Sequence, residues 1–234
     1  METKHAYSIK ELKNMVQAEE VLAVGPPIER LLMRRVSIYI TKALIGTPIT
    51  PNMVTFCQFL VIIGATAAFS MGTRSSALTG AFLVLFSHIL DCVDGELARA
   101  KKLTSKMGTQ LELICHWVAS GLLILGITSG VYEHTHKTII LYLGMLTLIG
   151  DYTFHFLYIH LSYTINKDTD YGHLHTVTRW LFRFMPINTN LAIIGGITNN
   201  IMIALTAWCA ILNISWMLVF FLYYRGETAF VEKK

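Results

Sequence analysis

Four apolar stretches of about twenty residues each, and a longer fifth one, restrict this chain to very few folds. They cover residues 52–71, 77–98, 108–130, 138–160 and 186–224. A helix needs roughly 20 mostly apolar residues to cross the hydrocarbon core of a bilayer. Hydrophobic residues make up 53% of the 234-residue chain, and charged residues are concentrated between the stretches. The sequence therefore predicts an all-α, polytopic membrane protein.

The last apolar stretch, from Pro186 to Tyr224, is long enough for two shorter helices. Glycines and asparagines between Gly195 and Asn200 favour a turn there, and a break near Asn213 is the alternative. We therefore expect six transmembrane helices in all.

The N-terminal part of the chain is polar and predicts two helices that do not cross the membrane. Ser8 and Glu11 have the spacing of a capping box, which predicts a short helix from there to about Val21. From Ile28 to Leu44 apolar residues recur with helical period, opposite a face that carries Arg30, Arg34, Ser37 and Thr41. This pattern is typical of an amphipathic helix in the headgroup plane. The expected organisation is an N-terminal cytoplasmic segment (1–27), the amphipathic interfacial helix (28–46), a six-helix transmembrane domain (47–226) and a C-terminal tail (227–234).

Basic residues are distributed unevenly between the loops. They cluster before the first stretch, between the second and third, between the fourth and fifth, and at the C-terminus, whereas the other loops offer only Arg74 and Lys137. The positive-inside rule then predicts that both termini and the loop from Arg99 to Met107 face the cytoplasm. The formal net charge of +4 is explained by this topology and by attraction to anionic lipid, so it does not indicate nucleic-acid binding.

Ionisable residues stand on both sides of the loop from Arg99 to Met107. Asp91, Asp94, Gly95 and Ala98 fall at i, i+3, i+4 and i+7 before it, and Gly108, Glu112 and His116 step by four after it. Each set therefore lines one helical face. Charges inside or at the rim of a bilayer are costly, so they mark functional sites by default. Antiparallel packing of the two helices would surround a common point with oxygen ligands and an imidazole, as a divalent metal site needs.

This stretch resembles the signature of the CDP-alcohol phosphotransferase (CDP-alcohol phosphatidyltransferase) family of integral membrane enzymes, D-x-x-D-G-x-x-A-R-(x)8-G-x-x-x-D-x-x-x-D. Six of the eight marked positions agree in type and spacing, and the chain carries Glu112 and His116 where the family has its third and fourth aspartates. The resemblance implies that residues 47–226 are a catalytic domain. Its reaction would move a phosphate-linked group from a CDP-alcohol, such as CDP-diacylglycerol, to a hydroxyl acceptor in phospholipid biosynthesis, with release of CMP.

The resemblance also implies roles for individual residues. The ligands of one or two divalent metal ions, Mg²⁺ or Mn²⁺, would be Asp91, Asp94, Glu112 and His116, and His116 would also be the catalytic base. The nucleotide would contact Asn52, Asp91, Gly95, Ala98, Arg99 and Gly108. The acceptor would contact Arg179 and Arg183, and Asp151 is a further candidate for acceptor binding. The implied partners are the CDP-alcohol donor, a polar alcohol or lipid acceptor, membrane lipids and a second copy of the chain in a homodimer.

The two departures from the signature bear directly on activity. Glu112 keeps the charge and adds one methylene, so the metal site would be shifted rather than lost. His116 removes a negative charge and supplies a group whose unperturbed pKa, about 6.5, suits a general base near neutral pH. The alternative is a non-catalytic nucleotide- or metal-binding membrane protein with a degenerate site. A transporter with an ion site at the membrane midplane is disfavoured, because the carboxylates cluster at one rim.

Overall fold

The computed structural model describes residues 7–17, 32–164 and 187–231. Within these ranges the chain forms helices and no strand. In chain order the helices are α1 (Ile9–Val16), α2 (Arg34–Leu44), α3 (Pro51–Ser70), α4 (Arg74–Ala100), α5 (Lys106–Thr135), α6 (Ile139–Thr164), α7 (Ile187–Thr198) and α8 (Ile201–Val231). The all-α prediction is confirmed.

Five helices of the described ranges are long and apolar enough to cross a membrane. They are α3, α4, α5, the part of α6 from Ile139 to Leu157, and the part of α8 from Ile201 to Arg225. The first four coincide with the four predicted spans of about twenty residues. α7 has only 12 residues and follows directly on residues outside the described ranges, so the sixth span stays a prediction.

The break in the last apolar stretch lies at Asn199 and Asn200, within the predicted segment from Gly195 to Asn200. α7 ends at Thr198 and α8 begins at Ile201. Between them Asn199 has a φ of 60°, a left-handed conformation in which asparagine is enriched among non-glycine residues.

The alternative break at Asn213 is wrong, because that residue lies inside α8. Its side-chain nitrogen donates to the carbonyl oxygens of Leu146 on α6, at 3.2 Å, and of Cys209, at 2.9 Å. Its side-chain oxygen accepts from Trp216 Nε1 at 3.0 Å. With its amide satisfied in this way, Asn213 joins α8 to α6 instead of ending the helix.

The N-terminal helix begins as predicted and ends earlier. Ser8 and Glu11 form both hydrogen bonds of the capping box, so α1 begins at the expected residue. It ends at Val16 and not near Val21, because Gln17 leaves the helical conformation. The Gln17 side chain instead donates to the Arg34 carbonyl at 2.9 Å and to Glu96 Oε1 at 2.6 Å.

The chain forms two compact units, each with its own packing. The first comprises Met1–Ala65 and Phe82–Ala119, and the second comprises Thr66–Ala81 and Ser120–Lys234. In the second unit, Gly126 and Gly130 lie one turn apart on α5 against the backbone of α3. A Cβ at Gly126 would lie 2.5 Å from the carbonyl oxygen of Thr66. Small residues at this spacing let membrane helices approach closely.

In the first unit, the amphipathic helix turns its polar face inward. Ser37 and Thr41 are fully buried, whereas Val36 and Tyr39 on the predicted apolar face are 43% and 63% exposed. Both hydroxyls donate to Glu96 of α4, Ser37 to Oε1 and Thr41 to Oε2, each at 2.7 Å. A helix is therefore present over Arg34–Leu44, with its polar face packed on a buried carboxylate, and its place in the headgroup plane stays a prediction.

We expect Thr41→Val to lower the free energy of unfolding by about 1.5–3 kcal/mol, the usual contribution of a hydrogen bond to a charged group. Valine is close to threonine in shape but leaves Glu96 Oε2 without this donor. The matched control is Thr206→Val, which removes an exposed hydroxyl that bonds only to a carbonyl of its own helix. Denaturant unfolding in detergent measures both variants. Equal losses of stability would contradict the special role of Thr41.

Candidate active site

Three carboxylates of the first unit converge between α4 and α5. Asp91, Asp94 and Glu112 each offer one oxygen, and these oxygens all lie within 4.8 Å of one another. Asp94 is buried, and the other two are half-buried. Carboxylates this close repel one another unless a cation or a proton lies between them. Oxygen donors in this number are the ligands that Mg²⁺ and Mn²⁺ prefer. The residues therefore fit the metal that the resemblance implies.

His116 is in direct contact with this cluster. Its Nε2 lies 2.8 Å from Oδ1 of Asp91. If Asp91 is ionised, so short a distance requires that Nε2 carry a proton and donate it. A neutral imidazole in this arrangement presents Nδ1 as its only proton acceptor, and Nδ1 has no hydrogen bond to any described residue. The contact with Asp91 thus orients the ring and selects its tautomer.

Two residues of α3 also contact this group of side chains. Thr55 Oγ1 donates to Oδ2 of Asp94 at 2.7 Å. Gln58 Nε2 lies 3.3 Å from Asp91 Oδ1 and 3.2 Å from His116 Nε2. Neither residue is among those predicted from the sequence. The signal for them is a polar stripe, Asn52, Thr55 and Gln58 at i, i+3 and i+6, on an otherwise apolar span.

The residues predicted to bind the nucleotide lie on the same three helices. A Cβ at Gly108 would lie 3.4 Å from Asn52 Oδ1, so these two are neighbours, and a Cβ at Gly95 would lie 3.4 Å from Nη1 of Arg99. Arg99 also donates from Nε to the carbonyl of Val16 at 2.8 Å. The guanidinium therefore holds the end of α1 and lies beside Gly95. Ala98, on the same helix, is half-buried.

Of the residues predicted to bind the acceptor, Asp151 is described. It belongs to the second unit, where it is buried on α6 with His155 Nδ1 at 3.7 Å from its Oδ2. A buried carboxylate in a membrane span is a functional candidate in its own right. Arg179 and Arg183 lie outside the described residues.

A family model described as CDP-alcohol phosphatidyltransferase matches residues 48–221. That range contains the carboxylate cluster, His116 and the polar stripe of α3. The chain belongs to this family. Together with the five long apolar helices, membership identifies an integral membrane protein of a transferase family.

Two curated archaeal proteins are similar in sequence. The chain is 31% identical over 143 residues to the "Bifunctional IPC transferase and DIPP synthase" of Thermococcus kodakarensis, and the match covers 61% of this chain and 31% of that protein. It is 33% identical over 129 residues to the "Archaetidylinositol phosphate synthase" of Pyrococcus horikoshii, with 55% and 61% covered. The chain thus spans less than two thirds of the length of either relative.

The fold is also that of a solved enzyme. The phosphatidylinositol phosphate synthase of Mycobacterium tuberculosis, in a crystal structure with CDP-DAG bound, superposes with a TM-score of 0.63 at 16% identity, covering 80% of this chain and 93% of that one. A second structure of the same enzyme, in complex with manganese and citrate, gives 0.63 at 15% identity, covering 81% and 89%. At this identity the likeness shows a shared fold.

We expect Asp91→Ala and Asp94→Ala each to abolish measurable Mn²⁺ binding, because each removes an anionic oxygen ligand. Metal-stripped protein in detergent is titrated with Mn²⁺, and the free ion is measured by electron paramagnetic resonance. Glu133→Ala, which removes an exposed carboxylate further along α5, is the matched control and should bind like the parent. Parental affinity in either aspartate variant would refute the assignment.

Proposed function

We propose that this chain is a metal-dependent transferase that moves the phosphate-linked group of a CDP-alcohol to a hydroxyl acceptor and releases CMP. The observation that carries the proposal is the convergence of three carboxylate oxygens within 4.8 Å, with an imidazole nitrogen 2.8 Å from one of these carboxylates. The reaction requires a divalent metal ion and, beside it, a base, and these residues would hold the one and supply the other. Family membership supports the same class of reaction.

For the substrates, we propose a CDP-activated lipid as donor and a phosphorylated polyol as acceptor, with inositol phosphate as the first candidate. The names of the Pyrococcus and Mycobacterium enzymes support this acceptor, and the CDP-DAG in the Mycobacterium structure supports the donor. Arg179 and Arg183 would bind the acceptor's phosphate, and Asp151 would bind its hydroxyl groups. The protein would act as a homodimer with its site facing the cytoplasm, as the resemblance and the distribution of basic residues imply.

The residues of the site have separate tasks in this reaction. Asp91, Asp94 and Glu112 would hold the divalent metal, which when bound neutralises the diphosphate. His116 takes the proton of the acceptor hydroxyl at Nδ1 while its Nε2–H stays in a hydrogen bond. The acceptor oxygen bonds to the phosphorus that carries the alcohol. The bond from this phosphorus to the bridging oxygen breaks, and CMP leaves with the electron pair.

The direct test measures CMP release from CDP-diacylglycerol, with Mn²⁺ present and a panel of acceptors that includes inositol phosphate. We expect the parent to release CMP and His116→Ala to slow turnover by roughly 10²–10⁴-fold, the usual contribution of general base catalysis. CDP-alcohol binding should remain measurable in this variant. His116→Asp should stay active, since a carboxylate can also accept the proton.

The control is His134→Ala, which removes an exposed imidazole of the same helix and should leave turnover unchanged. A His116→Ala protein as active as the parent would remove the base role. No CMP release from the parent with any acceptor would favour the non-catalytic alternative.

Metal preference provides an independent check on the two altered signature positions. If His116 also binds the metal, as the resemblance implies, its imidazole should make the site favour Mn²⁺ over Mg²⁺ more than an all-aspartate site does. The double variant Glu112→Asp, His116→Asp should then bind Mg²⁺ more tightly relative to Mn²⁺. Calorimetric titration with each ion measures the ratio of affinities, and a ratio equal to that of the parent would count against metal binding by His116.

A further inference from the structure

The C-terminal end of α1 is held in place by buried side chains and hydrogen bonds of the first unit. Leu12 and Val16 are fully buried and belong to one hydrophobic cluster with Ile38 of α2. The Gln17 side chain, just after the helix, donates to Glu96 Oε1 of α4 at 2.6 Å. A helix of eight residues is only marginally stable by itself in water. The position of α1 therefore depends on these contacts.

A carbonyl group at this end of α1 binds the guanidinium of Arg99. The last carbonyl groups of a helix have no partner within it, and they form the negative end of the helix dipole. Arg99 donates from Nε to the Val16 carbonyl at 2.8 Å. This is the one hydrogen bond that Arg99 makes to the described residues. Val16 thus fixes the guanidinium through Nε and leaves the protons of Nη1 and Nη2 unused.

The free end of this guanidinium lies near the carboxylate cluster. The Arg99 side chain folds back along α4, and a Cβ at Gly95 would lie 3.4 Å from Nη1 and 3.6 Å from Nη2. The guanidinium interacts electrostatically with Asp94 and with Glu112, and it forms an ion pair with no described residue. An anion bound at the cluster would be attracted by the same positive charge.

A phosphate group fits this arrangement of free donors. Arginine binds two oxygens of a phosphate through two parallel N–H groups, and the Nη pair is the part of Arg99 that Val16 leaves available. The donor of the proposed reaction carries a diphosphate, for which a guanidinium beside the carboxylate cluster would be a cationic partner. A long side chain that is already fixed also loses less conformational entropy when a ligand binds.

We propose that α1 positions Arg99 for the donor. The Val16 carbonyl holds Nε, so that the two Nη nitrogens face the diphosphate of a CDP-alcohol bound at the carboxylate cluster. Arg99 contacts the ligand, and α1 acts through Arg99. The family signature includes this arginine, but α1 lies outside residues 48–221, which the family model matches. The inference rests on the proposed function, because it takes a CDP-alcohol as the ligand.

The test is a double-mutant cycle on the affinity for CDP-diacylglycerol, measured by calorimetry in detergent with Mn²⁺ present. Arg99→Ala removes the guanidinium and should raise the Kd roughly 10–100-fold, the usual effect of losing hydrogen bonds to a charged group. Leu12→Asn places an amide in the buried cluster and should release α1 from it. Arg99 then keeps its charge but loses its orientation. The Kd should therefore rise roughly 2–10-fold, the usual cost of ordering one long side chain on binding.

The double variant shows whether α1 acts through Arg99. Leu12→Asn should add nothing to the effect of Arg99→Ala, because the side chain that α1 orients is then absent. Met15→Asn, at an exposed position of α1, is the matched control and should bind like the parent. If Leu12→Asn does not fold, Leu12→Ala replaces it. In the CMP release assay, Leu12→Asn should raise the KM for the donor and leave kcat unchanged, which is the pattern for lost binding.

An equal rise in Kd from Leu12→Asn with and without Arg99 would overturn the inference, because α1 would then act on the site by another route. A parental Kd in Leu12→Asn, or a rise of the same size in Met15→Asn, would also overturn it, and CMP release by the parent would still support the proposed function. The expected cycle in a protein that releases no CMP would support the positioning role and refute the proposed function alone.

Discussion

The high free-energy cost of burying carboxylates in an apolar helix governs the structure of the first unit. α4 carries Asp91, Asp94 and Glu96 within six residues, on a helix otherwise long and apolar enough to span a membrane. An ionised carboxylate removed from water without partners costs several kcal/mol. The polar groups of α2, of α3 and of the start of α5 lie where they reduce this cost. Loss of the polar groups of any one of these helices would leave a carboxylate with fewer partners in an apolar interior that cannot solvate its charge.

The carboxylates of α4 differ in the number of protein groups that donate hydrogen bonds to them. This difference separates a structural carboxylate from the candidate metal ligands. Glu96 is fully buried and accepts hydrogen bonds from Gln17, Ser37 and Thr41. Both of its oxygens thus have protein donors, and the residue joins α2 and the end of α1 to α4. Asp91 and Asp94 have fewer protein donors and face the further charge of Glu112. That excess of negative charge is an attraction for a divalent cation.

The replacement of two signature aspartates changes more than two side chains. Glu112 and His116 leave three carboxylates where the family signature has four, and they introduce a ring with one lone pair. A site with less negative charge and fewer carboxylate oxygens depends more on uncharged side chains to hold its residues in position. Gln58 is one such side chain, since its amide touches both Asp91 and His116.

Sequence alone determined the features that depend on local periodicity and length. These are the four spans of about twenty residues, the capping box at Ser8, the break before Ile201, and the facing sets on α4 and α5 that make up the acidic cluster. The end of α1 was misplaced because Gln17 is held by distant partners.

The tertiary structure alone decided which distant residues meet. The bond from Thr41 to Glu96 joins residues 55 apart in the chain, and the contact of Gln58 with His116 joins residues 58 apart. Whether a polar stripe faces lipid, solvent or a buried carboxylate depends on the rotation and register of packed helices, which neighbouring residues along the chain do not specify. The burial of the polar face of α2 and the contacts of Thr55 and Gln58 with the aspartates therefore follow from packing, since only packing brings a donor to a charge that the membrane does not solvate.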